Sequence, residues 1–263
     1  MPMKSLIVML LLVIPLAAFA LPGIDTSTLP HWSGSMELTA DTFDVEVVGT
    51  TAYVLVQGGL VVYDVADPDA PVELGSVFGI GYGGRDLVVD GSFVYAVGNV
   101  WLTVIDVSVV ALPVERGRYL TQGLLAGGEM VGGYLYLYGG DDLTVLDVSD
   151  PDAPVPLYVD DDTPMERPEA WGSFVVIGDL GIHAGTVMGY FDVGPGSYTW
   201  EPTSDIRVYD LTVPSSPALV GSLDLGWPST VGAMTLVGGT PLLAVSTLVY
   251  PLDLAVPASP ALG

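Results

Sequence analysis

The sequence predicts an all-β fold, a β-propeller of about five four-stranded blades, and three periodic observations carry that reading. First, the aspartates that close short apolar runs, Asp64, Asp106, Asp147, Asp210 and Asp253, are spaced by 42, 41, 63 and 43 residues. A period near 42 is the mark of a repeat architecture, and the long interval is one period plus roughly 21 extra residues. Second, prolines keep register with these anchors. They lie four residues on at Pro68, Pro151, Pro214 and Pro257, and seven on at Pro71, Pro113, Pro154, Pro217 and Pro260, and Val110 alone breaks the first series. Third, a glycine stands fifteen residues before four anchors, at Gly49, Gly91, Gly132 and Gly238, and a tyrosine eleven before three, at Tyr53, Tyr95 and Tyr136.

Each unit divides into four strands. In the first, "DVEVVG" precedes a glycine that supplies the positive φ of a tight hairpin turn. "TAYVLVQ" is a β-branched and aromatic run of strand length, and "LVVYDVA" follows it. In that third strand Leu60, Val62 and Asp64 share one face and Val61, Tyr63 and Val65 the other, so both faces are apolar up to the aspartate. Such a strand belongs to a sheet packed between two others, as an interior blade is. The aspartate ends the strand by accepting N–H groups of the next turn, and the proline four residues on cannot extend the ladder. "PVELGSV" is the fourth strand.

Two units depart from the pattern. The fourth carries extra residues 183–205 between its second and third strands, expected to line or plug the channel mouth, and the fifth has Pro251 inside its third strand, which predicts an irregular last blade. "GSMEL" at Gly34–Leu38 parallels "GSLDL" at Gly221–Leu225, so the ring is expected to close by an N-terminal strand that completes the last blade and covers its edge.

"GLVVYDVADPDAPVELGSV" resembles the LVIVD repeat, with its apolar third strand and the Asp-x-Ser-x-Pro-x-x-Pro pattern behind it. The likeness runs from about residue 35 to the end. It implies a bacterial or archaeal extracytoplasmic propeller, and it brings no settled chemistry and no catalytic residues.

Residues 1–20 read as a cleaved signal peptide: Lys4, the only lysine, is followed by an apolar run from Leu6 to Leu21 with Ala18-Phe19-Ala20 at the cleavage site. Residues 21–32 form an N-terminal segment and 33–263 the propeller. The expected location is therefore secreted, periplasmic or cell-surface, with no integral membrane segment once the signal is removed. With no cysteine, thiol chemistry and Cys-ligated metal are excluded. A formal net charge of −25 repels phosphate backbones, so nucleic acid is not an expected partner. "GIGYGG" at Gly79–Gly84 satisfies G-x-G-x-x-G only formally, because a strand follows it instead of a helix. His31 and His183 are the only histidines, and both are expected at the surface.

The expected function is a non-enzymatic binding or scaffold module, a monomer whose partner is a glycan, a small molecule or a cell-surface protein. Its ligand site is expected on the face bearing the blade-four insertion, where Tyr82, Trp171, Tyr190, Tyr198, Trp200 and Trp227 offer aromatic faces and Arg85 and Arg167 lie on the rim. The alternative is a glycoside hydrolase-like five-bladed propeller using channel-mouth carboxylates, for which Asp44, Asp86 and Glu166 are the candidates. No cofactor is expected. Calcium is the one ion to weigh, at Asp67/Asp69, Asp150/Asp152, Asp141-Asp142 or Asp160–Asp162, although the Asp-Pro-Asp pairs suit turns better than an ion.

Overall fold

The computed structural model describes residues 40–80, 83–139, 142–160, 170–194, 197–226 and 229–263. They form five four-stranded antiparallel sheets, each taking its strands in chain order, and no helix occurs among the described residues. Blade 1 comprises β1 (Thr42–Val48), β2 (Thr51–Val56), β3 (Gly59–Asp64) and β4 (Val72–Phe78). Blade 2 comprises β5 (Gly84–Asp90), β6 (Phe93–Gly98), β7 (Trp101–Asp106) and β8 (Val114–Leu120). Blade 3 comprises β9 (Gly127–Val131), β10 (Tyr134–Gly139), β11 (Asp142–Asp147) and β12 (Val155–Asp160). Blade 4 comprises β13 (Ala170–Ile177), β14 (Leu180–Gly194), β15 (Ser197–Asp210) and β16 (Ala218–Asp224). Blade 5 comprises β17 (Val231–Val237), β18 (Thr240–Val245), β19 (Leu248–Asp253) and β20 (Ala261–Leu262).

Every anchor aspartate is the last residue of a third strand. Its Oδ1 accepts the N–H two residues on in all five blades, from Ala66, Ser108, Ser149, Thr212 and Ala255. The chain then turns through a second recurring bond, from the N–H six residues past the anchor to the carbonyl three past it, as in Ala70 to Asp67 and Ser259 to Val256. The hairpin glycines Gly49, Gly91, Gly132 and Gly238 all have positive φ, and Gly178 does the same work in blade 4.

The apolar faces pack blade on blade. Leu60 and Val62 of blade 1 meet Leu87, Val94 and Ile105 of blade 2, and the opposite face of blade 2, with Tyr95, Leu102 and Val104, meets Leu135 and Leu146 of blade 3. Blade 3 meets blade 4 through Tyr136, Val145, Phe174 and Tyr209, and blade 4 meets blade 5 through Ile182, Ile206, Met234 and Leu243. A second contact holds the outer strands. Gly75, Gly117 and Gly221, equivalent fourth-strand positions, lie so close to the next blade's turn that a Cβ would fall within 2.4 Å of Val110 O or Pro151 O and 2.1 Å of Pro257 O. At the blade 3–4 junction that position is Tyr158, and the turn is held instead by Tyr136 Oη donating to Pro214 O.

The inner strands β1, β5, β9, β13 and β17 pack in succession, but β17 does not pack on β1 in this way, so among the described residues the sheets are not closed into a ring. The closing strand expected at residues 34–38 lies outside the described residues. The outer place in blade 5 is held by β20, which pairs only with Leu252 and Asp253. Pro251 stays in register with Leu242, and its carbonyl accepts the Gly263 N–H. The extra residues of blade 4 do not form a separate lid or plug. They lengthen β14 and β15 into one ladder from Leu180↔Asp210 to Gly194↔Ser197, with a register shift between Asp192 and Gly194.

Candidate functional site

Three places on this frame bring chemistry-bearing residues together. The first is the arm of blade 4. Strands β14 and β15 run 15 and 14 residues, against six for β2 and β3. β13 accompanies β14 only as far as Val187, and β16 accompanies β15 only from Asp205. Beyond those points the arm is a two-stranded ribbon, about 20 Å long at the usual rise per residue. Tyr190 pairs with Trp200 and Asp192 with Tyr198. Lower down on the same two strands Ile182, Ala184 and Ile206 are buried against blade 5.

The root of the arm is tied to that neighbour by a fully satisfied polar chain. Thr186 Oγ1 accepts the Val231 N–H and lies 2.7 Å from Ser204 Oγ, which donates to Ser229 O. The Leu225 N–H donates to Ser204 O and the Ser229 N–H to Pro202 O. Leu225 and Ser229 are therefore held beside the root of the arm. Trp171 stands opposite Thr186 on the same face of β13 and is 39% exposed.

The second place is the rim between blades 1 and 2. Leu55, Gly59, Ile80, Gly84, Gly98 and Trp101 line a notch of about 20 Å³, room for a single water and far below a closed ligand pocket. The Arg85 guanidinium donates from Nε to Asn99 Oδ1 at 2.7 Å on this rim. Neither Asn99 nor Trp101 figures among the expected site residues. Trp101 had a signal, since it holds a tryptophan where the other units have Gly59, Asp142, Asp205 and Leu248.

The third place is a group of acids on the inner strands. Asp44 Oδ2 and Asp86 Oδ1 both accept the Leu87 N–H, Asp86 Oδ2 accepts the Gly128 N–H, and Glu46 Oε2 accepts the Val89 N–H. Each carboxylate on one inner strand thus bonds the backbone of the next. Burial first, and a side-chain hydrogen bond with Asp44 second, push the Asp86 carboxyl up to about 7. Burial also raises Glu46, against the pull of the Val89 N–H, and raises Glu129, with the charge of Glu46 adding to it. The Tyr138 phenol is raised by burial and then by Asp86 and Glu129.

The expected site residues are therefore distributed. Trp171, Tyr190, Tyr198 and Trp200 fall on blade 4, with the last three on the arm, whereas Arg85 lies two blades away, hydrogen-bonded to Asn99. Tyr82, Arg167, Trp227 and the acid candidate Glu166 lie outside the described residues. His183 is not at the surface. It is fully buried on β14 against Tyr138, because its register turns it into the blade 3–4 interface, and burial depresses its imidazole to about 3. The calcium candidates Asp67 and Asp150 spend their Oδ1 atoms on the N–H groups of Asp69 and Asp152, and no cluster of three or more metal-binding side chains occurs among the described residues.

Three segments, residues 40–78, 83–121 and 129–156, match the LVIVD repeat. The chain carries three LVIVD repeats on an all-β fold of five propeller-like sheets. The matched segments are blades 1, 2 and most of 3, and blades 4 and 5 keep the same strand order and anchor turns without a match of their own. Among solved structures, a functionally unknown protein from Desulfotomaculum acetoxidans aligns at a TM-score of 0.61 and 10% identity, over 88% of this chain and 71% of that one. Sqt1 of Saccharomyces cerevisiae aligns at 0.58 and 8%, over 85% and 62%. The Pan2 WD40 domain of Neurospora crassa aligns at 0.54 and 13%, over 84% and 64%. At such identities the likeness shows the fold alone. No curated protein matches the sequence.

Proposed function

We propose that this LVIVD-repeat chain is an exported, non-enzymatic binding module whose ligand, a glycan or a small molecule with a stacking face, lies in the corner between the blade 4 arm and the top of blade 5. The observation that carries the reading is the arm itself. A two-stranded ribbon has little stability of its own in water, yet here it carries Tyr190 paired with Trp200 and Asp192 paired with Tyr198, with Trp171 at its root. Aromatic positions on an extended edge suit stacking against a sugar ring. The signal-like residues 1–20 support export.

The acid group does not favour the hydrolase reading. Two carboxyls that flank a glycosidic bond stand about 5 Å or more apart with room for substrate between them, whereas Asp44 Oδ2 and Asp86 Oδ1 converge on the single Leu87 N–H and Asp86 Oδ2 accepts the Gly128 N–H.

The test is a glycan array probed with the chain from residue 21 onward, followed by the double substitution Tyr198→Ala and Trp200→Ala. Binding that falls at least tenfold in the double variant, with an unchanged urea midpoint, supports the site. A variant that binds as the parent does removes the arm from the site. A bound glycan that is cleaved would overturn the non-enzymatic reading.

A further inference from the structure

We propose that Asp44 and Asp86 share one proton and form a pH-sensitive latch across the inner strands of the first three blades, closed while the proton is held and loosened when it leaves. The inference stands on geometry and is independent of any ligand at the arm. The two acids converge from different strands on one donor, the Leu87 N–H, and two carboxyl groups brought to a single donor are placed to share a hydrogen. Asp86 then reaches on to β9, where it takes the Gly128 N–H. The neighbouring Gly127 makes room for this reach: a Cβ there would sit 2.6 Å from Asp86 Oδ2 and 2.5 Å from Tyr138 Oη. One carboxyl pair thus touches β1, β5 and β9.

Nothing positive compensates the pair among the described residues. β1 contributes Glu46, β9 Glu129, β10 the Tyr138 phenol and β2 the Tyr53 phenol, the last lying close enough to Glu46 to be raised by its charge. The described arginines of these blades are engaged elsewhere: Arg85 with Asn99, Arg116 with Asp106 and Asp152, and Arg118 with Glu115. Loss of the shared proton would therefore set two charges beside one N–H, among further acids, in a half-buried place.

The sign follows from linkage. The folded pair binds its proton up to about pH 7, whereas an unfolded aspartate releases it near 4. The contribution is complete below about pH 4 and is lost as pH rises to about 7, with the unfolding equilibrium constant growing by up to about tenfold per pH unit between them.

The experiment compares urea unfolding from pH 4.5 to 8.5 for the parent chain, for Asp44→Asn and for the surface control Asp69→Asn. The amide of Asp44→Asn keeps an oxygen for the Leu87 N–H and offers its own N–H where the shared proton lay. The variant should lose most of the slope between pH 4.5 and 7, while the control keeps the parent's. Parallel profiles for the parent and Asp44→Asn would overturn the latch. Should Asp44→Asn fail to fold, carbon-13 NMR of the parent decides directly: an Asp86 carboxyl that titrates near 7 supports the latch, and one that titrates near 4 overturns it. Hydrogen exchange adds a local readout. Corrected for intrinsic rates, the Leu87 and Gly128 amides should lose protection above pH 7 relative to the Met234 amide, whose acceptor is the non-titrating Ser173 hydroxyl; equal protection of all three across the range would count against it.

Discussion

Blades 1 to 3 and blades 4 to 5 solve the same problem with different chemistry. In both regions a side chain of one blade's inner strand, or of the strand beside it, meets a backbone N–H of the next blade's inner strand. Asp44, Glu46 and Asp86 do this from inner strands at the first two junctions, and at the last Ser173 does so from β13 and Thr186 from β14. The geometry is shared, so the fold asks only for an acceptor of the right reach. A carboxylate accepts more strongly than a hydroxyl, by roughly a factor of two, but it brings a charge into a half-dry junction. The acid junctions therefore respond to pH, and the hydroxyl junction does not.

The outer contact is common to both regions and gives the strongest test. Gly117→Val and Gly221→Val each drive a side chain into the backbone of the next blade's turn, at Pro151 and Pro257. Neither turn can retreat without breaking its own hydrogen bonds, at Asp150–Ala153 and Val256–Ser259. Each substitution should cost about 3 kcal/mol, the upper part of the usual range for overpacking, read as a fall in urea midpoint. If only one of them is costly, the two regions are not built on one outer contact. The inner contact comes next. Thr186→Val should cost about 1–3 kcal/mol, because the Val231 N–H is left buried without an acceptor. That cost should be the same at pH 5 and pH 8, and a pH-dependent one would erase the contrast with Asp86.

The regular region was the more legible in sequence, for a physical reason. The anchors, hairpin glycines and apolar alternation at Leu60–Asp64 or Leu102–Asp106 encode local geometry, and local geometry survives in any unit whose two faces are both covered. β3 is buried along almost its whole length, whereas β19 is mostly exposed. The alternation therefore fades toward blade 5 while the anchor turn at Asp253 persists. The arm was read as an insertion but not as a ribbon, since "VMGYFDVGPGSYTW" carries a turn signal only at its tip and the ladder is fixed by the strands below. The Asp44–Asp86 pair was within reach as two acids one period apart. Their contact was not, because it depends on how far one inner strand stands from the next. His183 was misplaced for a related reason: a lone histidine gives no sign of which face of a strand it takes.

The smallest expected effect concerns the anchors, and it sharpens the comparison because it runs through both regions. The Ser108 and Ser149 hydroxyls and N–H groups hold Asp106 and Asp147 below the usual carboxylate range, and the Thr212 N–H and hydroxyl do the same for Asp210. A carboxyl whose folded value is depressed contributes stability that is present above about pH 4 and is lost as pH falls through its folded value. This opposes the latch, whose contribution is lost on the way up to about 7. The two dependences leave a stability maximum between them, on the acid side of neutrality, and the self-repulsion of a chain of net charge −25 moves it the same way. Unfolding midpoints taken from pH 3 to 8.5 should therefore peak near pH 4–5, below the more usual window of about 5 to 8. Asp147→Asn should soften only the acid limb and Asp44→Asn only the neutral one. A single substitution that flattened both limbs would mean that anchors and latch are one coupled network.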